Sequence, residues 1–372
     1  MRLETLCVHA GTGPDRITGA ITLPISLATT FERDPDGEFR RGFKYARDNN
    51  PTREALERAM ALVEGGAAAL AFASGQAATA AVFQALNPGD HVILPDSVYY
   101  GTPKLVNELF VPWGLKATSV PMNDLAAVQG AVQSNTRLIW IETPSNPLLT
   151  VSDIAGIVAI ARQAGAMVAV DNTWATPVGQ RPLELGADIA MHASTKYLGG
   201  HSDVMGGVLV ARKDDDFFAR VRLVQHTAGG IAAPFDSWLV HRGLKTLVWR
   251  VRAQTGNAIA VTSFLANHPA VQVVHYPGLS SHPNHDVAAR QMQLFGGMAS
   301  FEVRGGRAEA LAVAAKCAVF TRATSLGGAE SLIEHRASIE GPTTRAPESL
   351  LRLSIGLENA EDLIEDLAQA LA

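Results

Sequence analysis

The sequence predicts an α/β protein with a large, mainly parallel β-sheet domain and a smaller C-terminal α/β domain. Two observations predict it: short apolar runs alternate with segments of helical periodicity, and these runs stay hydrophobic without interruption. Uninterrupted apolar strands indicate a sheet that helices cover on both faces, and strand–helix alternation favours parallel pairing. Ligands in such sheets gather at the carboxyl ends of the strands, so a site is expected there.

The predicted elements of the large sheet begin after residue 50. A helix follows Pro51, with Thr52 as its N-cap and Gly65-Gly66 as its end. Further helices are predicted at residues 76–86, 124–133 and 153–164. Buried strands are predicted at residues 67–72, 91–95, 138–142, 166–171 and 189–192.

The rest of the chain divides into an arm and a second domain. Residues 1–50 are rich in Gly, Pro, Arg and Asp with weak periodicity, which indicates an extended arm. A long helical stretch is predicted at 234–266, strands at 299–303 and 351–354, and a last helix at 360–371. We therefore expect an arm at 1–50, a large domain at 51–247 and a smaller domain at 248–372.

Composition excludes several classes of function. Of the 372 residues, 47% are hydrophobic and 18% charged, and the net charge of −5 argues against a nucleic-acid partner. The sequence lacks a run of about 20 apolar residues, and its start does not resemble a signal peptide, so we expect a cytoplasmic protein without a membrane partner. Cys7 and Cys317 match no ligand spacing and are expected to be free thiols.

Lys196 is the first candidate for chemistry. It stands in Ser194-Thr195-Lys196-Tyr197, directly after a predicted strand. A buried lysine loses its charge or needs a partner, and the neutral amine is the nucleophile of Schiff-base chemistry. For this tetrapeptide alone, a surface lysine in a polar turn is the alternative.

Two other strand ends carry suggestive residues. Asp171 ends an apolar strand, where a buried carboxylate requires a partner. The protonated ring nitrogen of pyridoxal phosphate (PLP) is one such partner, and capping of the next turn is the alternative. Ser74-Gly75-Gln76 joins a strand to a helix whose N-terminus can bind phosphate, although this junction alone is a weak signal and matches neither a dinucleotide-binding nor a P-loop motif. Together the three sites supply an amine, an acid and a phosphate cradle.

With these residues in place, the sequence resembles the Cys/Met-metabolism family of PLP enzymes, which includes cystathionine γ-synthase, cystathionine γ-lyase, cystathionine β-lyase and methionine γ-lyase. The resemblance covers almost the whole chain. Its motifs are YAR at 45–47, NPT at 50–52, ETPSNP at 142–147, DNTWATP at 171–177, TKYLGGHSD at 195–203, YPGL at 276–279, SLGGAESL at 325–332 and RLSIGLE at 352–358. It implies the aspartate-aminotransferase-like fold type I, PLP as cofactor and a small amino-acid substrate.

The resemblance also implies roles for residues around the cofactor ring. Lys196 resembles the Schiff-base lysine that later shuttles protons, and Asp171 resembles the partner of the pyridine nitrogen. Tyr99 is similar to the tyrosine that stacks on the ring and also serves as an acid or base. Tyr45 and Arg47 match the pair that reaches the phosphate of a neighbouring subunit, which implies a homo-oligomer, a dimer of dimers.

Further roles concern the phosphate and the substrate. Asn146 resembles the residue at the phenolic oxygen of the ring or at the substrate carboxylate. Arg352 is similar to the clamp on the substrate α-carboxylate, with Ser325 nearby, and a guanidinium suits this bidentate contact. The residues that match phosphate contacts are Gly75, Gln76 and Thr195.

The sequence departs from the family pattern in two places. Many relatives have a phosphate-binding serine where this chain has Ala193, and Ser194 follows it. The Thr-Met-Thr-His stretch that often follows Glu334-His335 is replaced here by ASIEGP at 337–342. Glu334 resembles the glutamate of cystathionine γ-lyases that would meet the distal ammonium of cystathionine; an exposed glutamate is the alternative.

The resemblance favours γ-lyase or γ-synthase chemistry, followed by β-lyase and methionine γ-lyase. A non-catalytic protein on the same fold and an aminotransferase are the alternatives from other classes. His275, His282 and His285 look like a metal cluster, but they surround a Pro- and Gly-rich turn region and the resemblance includes them without a metal, so no metal is expected.

Overall fold

The fold consists of two β-sheets, each packed against helices. The computed structural model describes residues 1–340 and 346–372. The larger sheet contains β1 (Ala68–Phe72), β2 (His91–Pro95), β3 (Lys116–Val120), β4 (Thr136–Glu142), β5 (Met167–Asp171), β6 (Ile189–His192) and β7 (Gly207–Ala211). Its strand order is β1-β7-β6-β5-β4-β2-β3. Only β7 runs antiparallel to its neighbours, so the other six strands end at the same edge.

Helices cover both faces of this sheet. The helices up to the end of the large sheet are α1 (Leu3–His9), α2 (Pro51–Glu64), α3 (Gly75–Gln84), α4 (Gly101–Leu105), α5 (Val111–Trp113), α6 (Leu125–Ala131), α7 (Ile154–Ala164) and α8 (Thr176–Gly179), with a π-helical turn at Val106–Phe110 between α4 and α5. Alternate residues of β4 point to opposite faces. Trp140 packs with Phe83 of α3, and Ile141 packs with Ile157 of α7. Each such burial contributes about 1.5–3 kcal/mol, so both helix layers are held to the sheet.

The smaller sheet lies in the C-terminal part of the chain. It contains β8 (Val271–His275), β9 (Met298–Val303), β10 (Thr321–Arg322), β11 (Leu332–His335) and β12 (Leu350–Ser354), in the order β10-β11-β12-β9-β8. The remaining helices are α9 (Asp216–Ala228), α10 (Pro234–Leu244), α11 (Leu247–Ala266), α12 (His285–Gln291), α13 (Arg307–Lys316), α14 (Arg336–Glu340) and α15 (Ala360–Leu371). The helix α11 contributes to the cores on both sides, through Val251 and Val261.

The α/β class and all of the predicted strands of the large sheet are confirmed, but one helix start was wrong. The N-cap of α2 is Asn50, whose Oδ1 accepts hydrogen bonds from the backbone N–H groups of Thr52 (2.9 Å) and Arg53 (3.2 Å). The hydroxyl of Thr52 instead donates to the carbonyl of Pro24 (3.1 Å). Pro51 takes the first helical position because its fixed φ suits it there.

Other differences concern a helix boundary and strands that were not predicted, among them the apolar β7. The long helical stretch predicted at 234–266 is two helices, α10 and α11, separated at Lys245 and Thr246. The strands β3 and β11 were missed because polar and charged residues interrupt their apolar pattern, as in LIEH of β11. Both cysteines are free, and no helix of the described residues is long and apolar enough to cross a membrane.

Candidate active site

A cavity of about 490 Å³ lies at the edge where the parallel strands end. Both parts of the chain contribute to its wall. The predicted site residues on this wall are Gly75, Gln76, Tyr99, Asn146, Asp171, Thr195, Lys196, Ser325 and Arg352. The volume suits a small ligand such as an amino acid with its cofactor. The sequence therefore predicted most of one common site from residues that lie far apart in the chain.

Lys196 is the amine of the cavity. It follows β6 in the turn that begins at Ala193, and its Nζ donates a hydrogen bond to Ser325 Oγ (3.0 Å). Burial lowers the pKa of Lys196 to about 8, helped by the charges of Arg352 and Arg336 and opposed by that of Glu334. Lys196 is therefore not a surface lysine in a polar turn. Near pH 8, about half of its amino groups are neutral.

Asp171 is the acid of the cavity, at the last residue of β5. The backbone N–H and the hydroxyl of Thr173 both donate to Asp171 Oδ1, at 3.0 Å and 2.5 Å. Burial raises the pKa of Asp171, which means that a cationic group in the cavity would stabilise its ionised form. Asp171 also caps the next turn, as the alternative interpretation predicted, because its carboxylate accepts the backbone N–H of Thr173.

Glu142 is a site residue that the sequence reasoning missed. It ends β4 directly beside Asp171 on β5. Its carboxylate accepts the backbone N–H of Tyr99 (3.1 and 3.0 Å) and that of Asn146 (2.9 Å). Burial and the neighbouring Asp171 raise the pKa of Glu142 to about 8. An acid at the end of an apolar strand was the same signal that identified Asp171, so this residue could have been found.

The junction of β1 and α3 brings a helix N-terminus to the cavity wall, a kind of site that can bind an anion. Ser74 caps α3 by accepting the N–H of Ala77 (3.0 Å), and the first N–H groups of a helix have no partner inside it. A Cβ on Gly75 would lie 2.9 Å from the Cβ of Ala193, so only glycine allows this close approach to the lysine turn. The side chain of Gln76 donates a hydrogen bond to the carbonyl of Gly101 (2.9 Å).

Ser194 does not stand in for the missing serine at position 193. Ala193 and Thr195 line the cavity, whereas Ser194 is buried beside Gly206, outside the cavity wall. Thr195 Oγ1 bonds the backbone of Gly206, accepting from its N–H at 3.0 Å and donating to its carbonyl at 3.2 Å. At this position the cavity wall therefore carries the methyl group of Ala193 and no hydroxyl from Ser194.

Arg352 is held firmly in the cavity wall. Its Nη1 donates to Asn146 Oδ1 (3.1 Å), and its Nη2 donates to the carbonyl of Ser325 (3.0 Å). Ser325 has φ of 112°, a conformation that non-glycine residues rarely adopt. In this conformation the Ser325 carbonyl accepts a hydrogen bond from Arg352, and the Ser325 hydroxyl accepts one from Lys196. Ser325 thus links the amine to the guanidinium group.

Glu334 is buried between two arginines. Its Oε2 lies 2.6 Å from Arg352 Nη2 and accepts a hydrogen bond from Arg336 Nη1 (2.8 Å). It is neither exposed nor part of the cavity wall, whereas Arg336 lines the cavity. The sequence reasoning missed Arg336, and no pattern in the sequence distinguishes it from a surface arginine.

Tyr45 and Arg47 lie apart from the cavity of their own chain. Tyr45 is 45% exposed, and Arg47 donates to the carbonyl of His226 (2.6 Å) with its guanidinium 5.7 Å from the Tyr45 ring. Arg53 fixes this turn by donating to the carbonyls of Ala46 (2.7 Å) and Asp48 (3.0 Å). The pair is therefore ordered and presented outward.

The three histidines considered for a metal have separate partners. His275 bonds Glu302 (2.9 Å), and His285 bonds the carbonyl of Pro277 (2.8 Å). His282 Nδ1 accepts the N–H of Asn284 (3.2 Å). No group of metal-ligating side chains occurs among residues 1–340 and 346–372.

Residues 4–372 match the protein family described as Cys/Met metabolism PLP-dependent enzyme. This chain belongs to that family. It is 50% identical over 375 residues to a cystathionine γ-synthase of Mycobacterium leprae (strain TN). The alignment covers 99% of this chain and 96% of the relative. It is 44% identical over 379 residues to a cystathionine γ-lyase of Bacillus subtilis (strain 168), covering 100% of this chain and 99% of the relative.

The fold agrees with the family. A solved structure of cystathionine γ-synthase from Xanthomonas oryzae pv. oryzae, in complex with aminoacrylate and cysteine, superimposes with a TM-score of 0.96 at 40% identity. The match covers 100% of this chain and 98% of that structure. The predicted family, fold class, enzymatic nature and PLP cofactor are all confirmed.

The residues present fit PLP. The cavity is lined by a partly buried amine of lowered pKa at Lys196, a partly buried carboxyl group of raised pKa at Asp171 and the N-terminus of α3, where Gly75 has no Cβ to fill the space. These groups suit an aldehyde, a ring cation and a phosphate respectively. The role of each residue toward the cofactor and the substrate remains a prediction.

Proposed function

We propose that this protein is a cystathionine γ-synthase, which joins an activated homoserine ester to L-cysteine by replacement at the γ-carbon. The observation that carries the proposal is that Lys196, Tyr99 and Arg352 line one and the same cavity. The 50% identity to a γ-synthase over nearly the full length of both chains supports the choice of reaction. The γ-lyase reaction is the second candidate, supported by the 44% identity to a γ-lyase.

The proposal assigns the cofactor contacts as follows. Lys196 Nζ would bind the aldehyde carbon, and Asp171 would face the pyridine nitrogen through Oδ2, since Thr173 binds Oδ1. The N-terminus of α3 with Thr195 would hold the phosphate, and Tyr99 would stack on the ring. PLP, when bound, supplies an electron sink for the substrate α-carbon.

Lys196 and Tyr99 would divide the proton transfers. The lowered pKa of Lys196, about 8, lets its neutral amine accept protons from Cα and Cβ near physiological pH. Ser325 Oγ holds this amine at 3.0 Å, on the side of the cavity that carries Arg352. Burial raises the pKa of Tyr99 to about 12, so its hydroxyl stays protonated and serves as a donor to the departing γ-substituent.

Arg352 would bind the substrate α-carboxylate. Its hydrogen bonds to Asn146 and Ser325 fix the guanidinium before any substrate arrives. A fixed, buried guanidinium binds a carboxylate strongly because little side-chain entropy is lost. This contact would orient the α-carbon toward Lys196.

We also propose that the active unit is a homo-oligomer, a dimer of dimers, in which Tyr45 and Arg47 reach the phosphate of the neighbouring chain. Their outward placement supports this. Several large apolar side chains of the arm are exposed in the single chain, among them Ile17 (93%), Ile21 (82%) and Leu27 (70%). Exposed apolar surface of this kind marks an interface.

The test is product analysis on the purified holoenzyme. One mixture contains a homoserine ester with cysteine, and another contains L-cystathionine alone. Formation of cystathionine in the first, with little breakdown in the second, supports the γ-synthase. Cysteine with 2-oxobutanoate from the second mixture identifies a γ-lyase instead, and homocysteine with pyruvate identifies a β-lyase.

The control is Lys196→Ala, which should form no product from either mixture. It should also retain no cofactor after borohydride reduction and denaturation, because the amine that would be reduced onto the cofactor is gone. Cofactor that stays covalently attached to the variant after this treatment would contradict the assignment of Lys196.

A further inference from the structure

One face of α11 carries three polar residues, Arg250, Gln254 and Asn257, which we call the polar row. They are spaced four and three positions apart, so they lie on the same side of the helix. Arg250 and Gln254 are buried, and Asn257 is half-buried. Buried polar side chains cost free energy unless they make hydrogen bonds. The partners of the polar row therefore indicate what it does.

Arg250 holds the turn that follows Lys196. Its Nη1 donates to the carbonyl of Tyr197 (2.8 Å), the residue directly after Lys196, and its Nη2 donates to the carbonyl of Gly243 (2.8 Å). A Cβ on Gly200 would collide with the guanidinium, so the turn packs closely against it. Burial lowers the pKa of Arg250 to about 10. Within residues 1–340 and 346–372, this buried cation is satisfied by backbone carbonyls and a hydroxyl and forms no ion pair with a carboxylate.

Gln254 holds the loop that carries Ser325. Its Nε2 donates to the carbonyl of Gly328 (2.7 Å), three residues after Ser325. Its Oε1 is buried and accepts no hydrogen bond from any residue that the structure describes. An unsatisfied buried acceptor is unfavourable, so an apolar side chain of the same size would be less costly here. The presence of the amide despite this cost points to its bond with Gly328.

Asn257 holds the backbone beyond the end of β12, the strand that carries Arg352. Its Nδ2 donates to the carbonyls of Gly356 (3.1 Å) and Glu358 (2.8 Å). Each member of the polar row thus bonds backbone that adjoins a residue of the cavity wall.

The three segments held by the polar row also contact one another. The backbone N–H of Gly327 donates to Ser354 Oγ (2.8 Å), and a Cβ on Gly327 would lie 2.7 Å from the backbone nitrogen of Tyr197. Lys196 Nζ donates to Ser325 Oγ across the same junction (3.0 Å). A shift of one segment would therefore change the distance between the amine and the hydroxyl.

We propose that the polar row consists of positioning residues, in which Gln254 fixes the loop of Ser325 and so keeps the Ser325 hydroxyl against the amine of Lys196. The inference rests on the proposed role of Lys196 in proton transfer, and it applies to a lyase as well as to a synthase. None of the three side chains belongs to the described wall of the cavity, so they act through the backbone that they hold.

Hydrogen–deuterium exchange of the holoenzyme tests the proposal without turnover. Gln254→Met nearly preserves the size of the side chain and removes the donor to Gly328. Backbone N–H groups of residues 325–331 should exchange about 10-fold faster in this variant, because one lost hydrogen bond changes a local opening equilibrium by about this factor. The matched control is Thr262→Val, which removes a buried hydroxyl of α11 that bonds only its own helix, at the carbonyls of Ala258 (2.6 Å) and Ile259 (3.3 Å). It should leave exchange in residues 325–331 unchanged.

A double-mutant cycle shows whether Gln254 acts through Ser325. Gln254→Met should lower kcat about 10-fold, with KM changed less than about 3-fold, because a displaced catalytic amine slows the chemical step. In the Ser325→Ala background the same substitution should lower kcat less than about 2-fold, since the contact that it supports is already absent. The substrate is the one that product analysis shows to be turned over.

A spectroscopic measurement separates positioning from general stability. The pH midpoint of the absorbance of the bound cofactor should move in the same direction in Gln254→Met and in Ser325→Ala. Thr262→Val should keep the wild-type midpoint. A midpoint that moves equally in Thr262→Val and Gln254→Met would assign Gln254 to stability alone.

Two further results would overturn the inference. One is unchanged exchange of residues 325–331 in Gln254→Met, and the other is an equal fall of kcat in the wild-type and Ser325→Ala backgrounds. If Gln254→Met does not fold, Asn257→Ala replaces it, and unchanged exchange of residues 354–358 in that variant would count against the polar row. The exchange results hold even if product analysis finds no γ-replacement, so the two failures are distinguishable.

Discussion

One carboxylate oxygen contacts both arginines that line the cavity. Glu334 Oε2 contacts both Arg336 and Arg352, and its charge also raises the pKa of Lys196 against the effect of burial. The geometry favours a positioning role for Glu334, which acts through Arg352, over the direct contact with a distal ammonium that the sequence suggested. The two roles predict different behaviour on substitution.

We expect Glu334→Gln to raise KM about 10-fold for every substrate that carries an α-carboxylate. The reason is that the guanidinium of Arg352 loses the charged contact that holds it in position. Steady-state kinetics with an ester and with L-cystathionine check this. Removal of the Glu334 charge should also lower the pKa of Lys196 below about 8, so the rate that depends on its neutral amine should rise at lower pH than in wild type. An increase in KM confined to cystathionine would instead support the distal ammonium contact.

At the level of elements, the start of α2 connects the arm to the large sheet. Asn50 is buried, caps the helix through Oδ1 and donates through Nδ2 to the carbonyl of Ser26 in the arm (2.9 Å). Three residues later, Arg53 binds the carbonyls of the turn that carries Tyr45 and Arg47. One helix terminus therefore orders the segment that the proposed oligomer needs.

Asn50→Ala should lower the free energy of unfolding by about 2 kcal/mol, because it removes a cap and leaves buried backbone groups without partners. Denaturant titration measures this. The matched control is Asn359→Ala, an exposed cap of α15 that accepts only the N–H of Glu361 (2.8 Å) and should cost about 0.5–1 kcal/mol. Limited proteolysis should cut the arm of Asn50→Ala faster than that of wild type; equal rates would show that this cap does not hold the arm.

At the level of the whole molecule, the cavity of the single chain brings together most of the predicted site residues. Its cavity unites residues from both sheets, yet Tyr45 and Arg47 stand apart from it. The exposed apolar residues of the arm lie in the same N-terminal region. A neighbouring chain would both cover this surface and receive the two side chains at its phosphate.

Hybrid oligomers test this arrangement. Arg47→Ala and Lys196→Ala should each be weakly active or inactive alone. After co-refolding or co-expression in equal amounts, about a quarter of the sites in random dimers should combine an intact Lys196 with an intact partner Arg47. We expect recovery of activity toward that fraction, measured by product formation. Absence of recovery, with hybrids shown to form, would mean that Arg47 serves its own chain.

The family, the α/β class, the order of the main elements and most of the groups at the strand ends could be predicted from the sequence. This worked because long apolar runs specify a covered parallel sheet, and because such a sheet brings the ends of its strands to one edge. Lys196, Asp171 and Gly75 could be found since each stands at such an end. Glu142 had the same signal and was overlooked.

Which charged side chains form ion pairs could not be predicted from the sequence. Position in the sequence does not reveal that Glu334 is buried between Arg336 and Arg352, because the three side chains come from β11, α14 and β12. It also could not show that Ser194 faces Gly206 or that Asn50 rather than Thr52 caps α2. Periodicity reports which residues are buried against a sheet, whereas ion pairs and caps depend on distances between elements, which only the packed fold determines.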